Sequence, residues 1–188
     1  MAQIEQVSQT YNTSSKKAKV FKEIISYAVI IFMAAIIAFC FNQYIIINAN
    51  IPSGSMETTI MTDDKVIGNR LSYSFSDPER GDIIIFPFPD NPEKTYIKRI
   101  IGMPGDTIEI KNNAVYINGT EYFEKYLPKA PRMDDYPKTV VPDNCYFVLG
   151  DNREDSVDSR YWLNPFVEKD TIIAKAIVVY YPDFRILK

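Results

Sequence analysis

Two serines flank a glycine directly after a long apolar stretch: residues 51–56 read Ile-Pro-Ser-Gly-Ser-Met, with hydroxyls at Ser53 and Ser55. Pro52 restricts φ and Gly54 permits a tight backbone path, so a serine here can be presented on a constrained turn beside backbone N–H groups. Such a turn suits a nucleophile with an oxyanion-binding group next to it. Taken alone, the segment also fits a Ser/Gly linker, which by itself is the simpler interpretation.

The chain has 188 residues and no histidine. This excludes Ser-His-Asp and Cys-His nucleophile systems and any zinc or haem site that needs a histidine ligand. The two cysteines, Cys40 and Cys145, cannot form a disulfide framework and are too few for a structural zinc site. A serine hydrolase built from this sequence would therefore need a lysine, an acid or an N-terminal amine as its base.

One lysine lies in an apolar, strand-like run over residues 96–101. Strict alternation puts Lys98 on one face with Tyr96 and Ile100, while Ile97 and Arg99 share the other face. Burial disfavours the charged amine and lowers its pKa, which would give a neutral base able to take a serine proton near neutral pH. A solvated strand lysine is the commoner outcome for a lone lysine.

A third segment, residues 150–162, is dense in hydrogen-bonding side chains. Asp158 and Arg160 could pair and fix a loop, and Ser156 could orient a neutral lysine amine. The acidic residues of this segment could instead suggest calcium. Their spacing does not match an EF-hand loop, so we expect no metal site and no cofactor.

The element that precedes these residues is an uncharged apolar segment. No Asp, Glu, Lys or Arg occurs between residues 24 and 56, and residues 24–47 would form a helix about 36 Å long, against a hydrocarbon core of about 30 Å. A cleaved signal peptide and a buried helix are the alternatives, but a signal h-region usually runs about 7–15 residues. We therefore expect a retained transmembrane anchor at residues 23–47.

The charges around this segment predict its orientation. Four lysines precede it, and the following flank has no basic residue before Lys65. By the positive-inside rule, residues 1–22 form a cytoplasmic tail and residues 48–188 an extracytoplasmic domain. Residues 1–15 are polar and unpatterned, so we expect them to be disordered. The net charge of −3 gives no indication of a nucleic-acid partner.

The domain after the anchor is predicted to be mainly β, with packed antiparallel sheets. Short β-rich runs are separated by turn residues; they lie at 65–73, 82–87, 95–102, 107–110, 114–117, 145–149 and 172–181. Asn118 and Gly119 predict a two-residue hairpin turn. The proline-rich residues 126–142 are interpreted as a surface connection.

Four ordered blocks follow the anchor: residues 52–56, 80–86, 96–106 and 150–160. In their order and spacing they resemble bacterial type I signal peptidases, membrane-anchored Ser/Lys proteases that release exported proteins from their signal peptides. The single anchor is similar to the Gram-positive forms. The resemblance implies a mainly β ectodomain, a location in the plasma membrane, and preproteins with small residues at P1 and P3 as partners beside membrane lipid.

The resemblance also implies roles for particular residues. Ser55 would be the nucleophile and Lys98 the general base, with an oxyanion hole formed by the Ser53 hydroxyl and the Ser55 backbone N–H. Ser156 would hold the Lys98 amine, and Asp158 and Arg160 would brace the active-site loop. The P1 and P3 pockets would be lined by Ile51, Pro52, Met56, Ile60, Tyr96 and Ile97.

The sequence departs from the family pattern at several positions. Thr58 replaces a common Pro or Asn, Glu154 and Asp155 replace Asp-Asn, and residues 163–166 replace Gly-Phe-Val. These changes concern loop conformation and substrate preference. Two alternatives stay open: a self-cleaving repressor-type protease of related fold, and a non-catalytic homologue that acts as a secretion or pilus assembly factor. The oligomeric state and the role of Cys145 are not predicted.

Overall fold

The computed structural model describes residues 2–127 and 131–187, with side chains from residue 21 onward. The chain divides into two compact units between Gln43 and Tyr44. The first unit is an α-helix, α1, which the structure extends over Ala2–Tyr44. Its part Phe21–Tyr44, 24 residues, is long and apolar enough to cross a membrane, and all of its side chains are exposed.

The bounds of this helix differ from the prediction at both ends. Residues 2–15, expected to be disordered, are helical, since no glycine or proline occurs before Pro52 to interrupt the helix. At the other end α1 stops at Tyr44, and Ile46–Asn50 form a strand instead of the last turn of the anchor. This strand pairs along its length with Lys65–Asn69.

The second unit is mainly β, as predicted. Its strands are β1 Ile46–Asn50, β2 Lys65–Asn69, β3 Ile83–Phe88, β4 Asn91–Gly102, β5 Thr107–Lys111, β6 Ala114–Ile117, β7 Thr120–Glu121, β8 Tyr136–Val140, β9 Cys145–Leu149, β10 Phe166–Glu168, β11 Ala174–Tyr181 and β12 Arg185–Ile186.

These strands form two antiparallel sheets. The larger sheet has the order β1-β2-β11-β3-β4-β9-β10, with β12 paired to β11, and the smaller has the order β7-β6-β5-β8. The predicted hairpin is confirmed: Asn118 (φ 54°) and Gly119 (φ 82°) have positive φ and connect β6 to β7.

The interpretation of residues 126–142 as a connection without strand structure was wrong. Its second half contains β8, whose Val140 pairs with Thr107 of β5. Pro137 cannot donate to a sheet ladder, but β8 is an edge strand of the smaller sheet, where proline is tolerated.

The larger sheet is covered on both faces around β3. Ile83 and Ile85 belong to one core cluster with Ile51 and Met56, whereas Ile84 and Phe86 belong to another. Strand β3 therefore lies in the middle of the larger sheet, and β4 is hydrogen-bonded to β3 as its neighbour. The consecutive apolar residues 83–86 fit this position, because a strand covered on both faces buries every side chain.

Candidate active site

Ser55 lies in a short 3₁₀ turn, Gly54–Met56, which follows β1. The turn is fixed from both sides: the backbone N–H of Ile51 donates to Asp64, and the N–H of Ile60 donates to Met56. The Met56 side chain is fully buried. Because the residue after Ser55 fills the core, the turn cannot rotate freely, and the serine is held at the surface of the larger sheet.

Lys98 lies on β4 and meets this turn. Its Nζ donates a hydrogen bond of 2.6 Å to the Oγ of Ser55, and its side chain is only 3% exposed. Burial lowers the pKa of Lys98 to about 8; the carboxylates of Asp158 and Asp151 act in the opposite direction. Near that pH a large fraction of the lysine is a neutral amine, which can accept the Ser55 proton.

Ser53 lies beside this pair. Its side chain is exposed, and its Oγ is 3.5 Å from the Oγ of Ser55. A hydroxyl at this distance from the nucleophile can reach an oxyanion that forms on a carbonyl attacked by Ser55. The three polar groups predicted from the sequence to act together, Ser53, Ser55 and Lys98, are therefore brought into one place.

The loop after β9 contacts the same turn from its backbone side. The N–H of Asn152 donates to the carbonyl of Ser55 at 3.1 Å, and its side-chain amide donates to the carbonyl of Gly54 at 3.0 Å. At Gly150 a Cβ would come well under 3.0 Å from the Ser55 carbonyl oxygen and from Ser156 Oγ, closer than real Cβ atoms approach. Only glycine fits there.

Within this loop, Asp158 and Arg160 form a buried ion pair, with Nε to Oδ1 at 2.8 Å. The other oxygen of Asp158 accepts the backbone N–H of Gly150 at 3.0 Å. Arg153 adds a second restraint: its Nε donates to the Gly150 carbonyl at 2.8 Å, and its guanidinium pairs with Glu124. These bonds hold Gly150 against the turn that carries Ser55.

Ser156, predicted to hold the lysine amine, is buried in the same loop. Its Oγ has no hydrogen-bond partner among the residues that the structure describes, so it makes no bond to Lys98 in this conformation. Its position against Gly150 places it next to the Ser55 carbonyl rather than on the amine.

Sequence reasoning missed the ion pair of Arg153 with Glu124 and a second buried pair beside Lys98. Arg99, the residue after Lys98, makes two hydrogen bonds to the carboxylate of Asp151, at 2.9 and 2.7 Å, and both side chains are almost fully buried. Its guanidinium also lies 4.0 Å from the ring centroid of Tyr126. The sequence did contain a signal for this pair: Arg99 is a second basic residue in the same apolar strand, and a buried arginine requires an acidic partner.

The Ser55 and Lys98 side chains open into a cleft of about 670 Å³. Its walls are formed by residues 47–55, Ile85, residues 95–98, Asp155 and Val157. Of the predicted pocket residues, Ile51, Pro52, Tyr96 and Ile97 line this cleft. Met56 and Ile60 do not: both are fully buried in the core cluster that also contains Val66.

Residues of β1 and the loop residues Asp155 and Val157 were not predicted to line the cleft. Strand β1 was hidden because Ile46 and Ile47 continue the apolar run of the anchor. In the described part of the chain, no group of three or more His, Cys, Asp and Glu side chains is placed to hold a metal ion.

The mainly β domain, its cleft and the contact between a serine hydroxyl and a buried lysine amine indicate a peptidase-like protein whose chemistry does not use histidine. A family model described as "Signal peptidase, peptidase S26" matches residues 24–181. The chain belongs to the signal peptidase family, peptidase S26.

The sequences of two relatives agree with this assignment. Probable signal peptidase I-2 of Synechocystis sp. is 39% identical over 158 residues, which cover 81% of this chain and 71% of the relative. Signal peptidase I S of Bacillus subtilis is 35% identical over 181 residues, 91% of this chain and 94% of the relative. The crystal structure of a signal peptidase I from Enterococcus faecalis, 36% identical, covers 53% of this chain and 97% of that one, with a TM-score of 0.45.

Proposed function

We propose that this protein is a membrane-anchored serine endopeptidase that removes signal peptides from exported preproteins, with Ser55 as nucleophile and Lys98 as general base. The observation that carries the proposal is the 2.6 Å contact between the buried Lys98 Nζ and Ser55 Oγ, inside a cleft of a chain that belongs to the signal peptidase family.

In the proposed acylation step, the neutral Lys98 amine takes the proton of Ser55 as Oγ attacks the carbonyl carbon of the scissile bond. The Ser53 hydroxyl and the backbone N–H of Ser55 donate to the resulting oxyanion. Collapse of the tetrahedral intermediate breaks the C–N bond, and the Lys98 ammonium returns the proton to the leaving amine. An acyl-enzyme on Ser55 and a free mature N-terminus result.

In the deacylation step, Lys98 takes a proton from a water molecule, which attacks the acyl carbonyl. The Ser55–acyl bond breaks, and the proton returns to the Ser55 oxygen. Asp158 and Arg160 brace the loop that contacts Ser55. Ser156 is proposed to orient the Lys98 amine after a small movement of the loop; its buried hydroxyl makes no hydrogen bond to the described residues in this conformation, so it is available to the amine.

The strands around the cleft suggest how a preprotein binds. β1 is an edge strand, and among the described residues β4 pairs over Thr95 to Lys98 with β3 alone, because β9 joins it only from Arg99 onward. An extended segment can add to such edges through its main chain, with alternate side chains pointing into the cleft. Ile51 and Ile97 restrict that space, which suits small residues at P1 and P3.

The apolar helix gives the proposed membrane anchor. With its basic flank on the cytoplasmic side, the catalytic domain lies outside the cytoplasm. A signal peptide in the same bilayer meets the enzyme at a raised effective concentration, because both are confined to one membrane.

The test uses the full chain in nonionic detergent or lipid, with a precursor as substrate. Ser55→Ala and Lys98→Ala are each expected to reduce cleavage by several orders of magnitude. Ser74→Ala and Lys94→Ala, at exposed positions outside the cleft, are the matched controls and should cleave normally. Near-normal cleavage by either Ser55→Ala or Lys98→Ala would overturn the proposal, and a normal secretion or assembly phenotype with Ser55→Ala would favour the non-catalytic alternative.

A further inference from the structure

One charged residue of the cleft wall takes no part in the proposed chemistry. The charged residues that line the cleft are Lys98, which is buried on Ser55, and Asp155. Asp155 is exposed, and in the part of the chain that the structure describes its carboxylate forms no ion pair. The carboxylate is therefore available to a charged group that enters the cleft.

The loop presents Asp155 to the cleft by its local geometry. Exposure alternates along the loop: Asp155 is exposed, Ser156 is buried, and Val157 is exposed, and the two exposed residues both line the cleft. The backbone N–H of Asp155 donates to the carbonyl of Asn152, the residue that also binds the Ser55 turn. The carboxylate thus belongs to a loop whose position is fixed relative to the nucleophile.

The neighbouring acid lies outside this wall. Glu154 does not line the cleft, and its carboxylate accepts the backbone N–H of Arg132. Both acids stand where the sequence departs from the pattern of its family, but only one of them faces the space where a substrate would lie. The rest of the chain is also negatively charged and would attract a cation. Residues 24–188 carry a net charge of −5, because residues 1–23 contribute +2 to the total of −3.

From this placement we propose that Asp155 is a specificity-determining residue, which favours preproteins that carry a lysine or arginine beside the scissile bond at a position whose side chain points out of the cleft. The inference rests on the proposed peptidase function. In an extended substrate the side chains of P1 and P3 point inward, so P2 and P1′ are the positions that can present a cation to the rim. Attraction between exposed charges is modest and screened by salt.

The experiment measures kcat/KM for precursor peptides of one length that carry Lys, Gln or Glu at P2 or P1′, with the full chain in nonionic detergent. At one of these positions the wild-type protein should prefer Lys over Gln by about two- to fivefold and should disfavour Glu. The ratio of kcat/KM for the Lys peptide to that for the Gln peptide should approach one in Asp155→Asn and fall below one in Asp155→Lys. Raising the salt concentration should reduce the wild-type ratio.

Glu154→Gln removes the same charge one residue away and is the matched control; it should keep the wild-type ratio. Equal ratios in the wild type and Asp155→Asn at both positions would overturn this inference while leaving the proposed function intact. Cleavage that survives Ser55→Ala, or no cleavage of any peptide, would overturn the proposed function itself, so the two failures are distinguishable.

Discussion

The backbone N–H of Asn152 donates a hydrogen bond of 3.1 Å to the carbonyl oxygen of Ser55. The proposed nucleophile is therefore held at two points that come from distant parts of the chain: its hydroxyl contacts Lys98 on β4, and its peptide group contacts the loop after β9. Because the hydroxyl and the peptide group have different partners, the position of Ser55 can be disturbed without changing either Ser55 or Lys98.

Gly150→Ala is expected to displace Ser55 while leaving both Ser55 and Lys98 unchanged in sequence. The new Cβ would have to push away the carbonyl of Ser55, which is backbone and cannot rotate aside, as well as the Ser156 side chain. A displacement of about 1 Å at the reacting atoms can cost about 100-fold in rate. We expect kcat for precursor cleavage to fall by at least that factor.

The control for Gly150→Ala is Gly119→Ala in the β6–β7 hairpin, where an added Cβ meets nothing within 4 Å but φ is +82°. It carries the general cost of replacing a positive-φ glycine, about 1 kcal/mol, at a position outside the site. If both variants cleave alike, the contact between Gly150 and Ser55 has no role in catalysis.

The chemistry of the site was more predictable than the details of its walls. The missing histidine restricted the base, and Lys98 was the lysine in an apolar strand, so its approach to Ser55 followed from residue types. The lining by β1 did not, because Ile46 and Ile47 fit the end of an apolar helix as well as a strand. Only the ladder with Gly68 and Asn69, far along the chain, decides for the strand.

The same limit explains why two of the predicted pocket residues do not line the cleft. Met56 and Ile60 are apolar and close to Ser55 in sequence, but both are fully buried in the core, which a linear pattern cannot distinguish from a pocket wall. Arg99 and Asp151 were not paired for the related reason that 52 positions separate them. Local pattern pointed to the proposed reacting groups, whereas their supports depend on tertiary packing.

Asp151→Asn is expected to lower the free energy of unfolding by about 3–5 kcal/mol, since it removes a buried carboxylate that makes two hydrogen bonds to the buried Arg99 guanidinium. Chemical denaturation of the full chain in detergent measures the change. The double variant Arg99→Met with Asp151→Leu should be less destabilised than Asp151→Asn, because neither buried charge remains. A double variant that loses at least as much stability as Asp151→Asn would contradict this expectation.

The pH dependence of cleavage should show an acid limb. Lys98 must be neutral to accept the Ser55 proton, and burial lowers its pKa to about 8, so kcat/KM should fall as the pH drops below that value. Asp158 raises the pKa of Lys98, so Asp158→Asn should move the limb to lower pH. A rate that does not change between about pH 6 and 9 would exclude Lys98 as a neutral base.

The low pKa of Lys98 should also reduce the stability of the fold. Its usual pKa of 10.5 applies to the unfolded chain and about 8 to the folded chain, so below pH 8 both states are protonated and the folded state carries the full cost of the buried charge. Between pH 8 and 10.5 the unfolded chain binds more protons, and the stability should rise with pH by about 3 kcal/mol. Lys98→Met lacks this group, so the free energy of unfolding of the wild type relative to Lys98→Met should rise over that interval. Denaturation of both proteins at several pH values measures the difference, and parallel pH curves would show that Lys98 keeps its ordinary pKa in the folded protein.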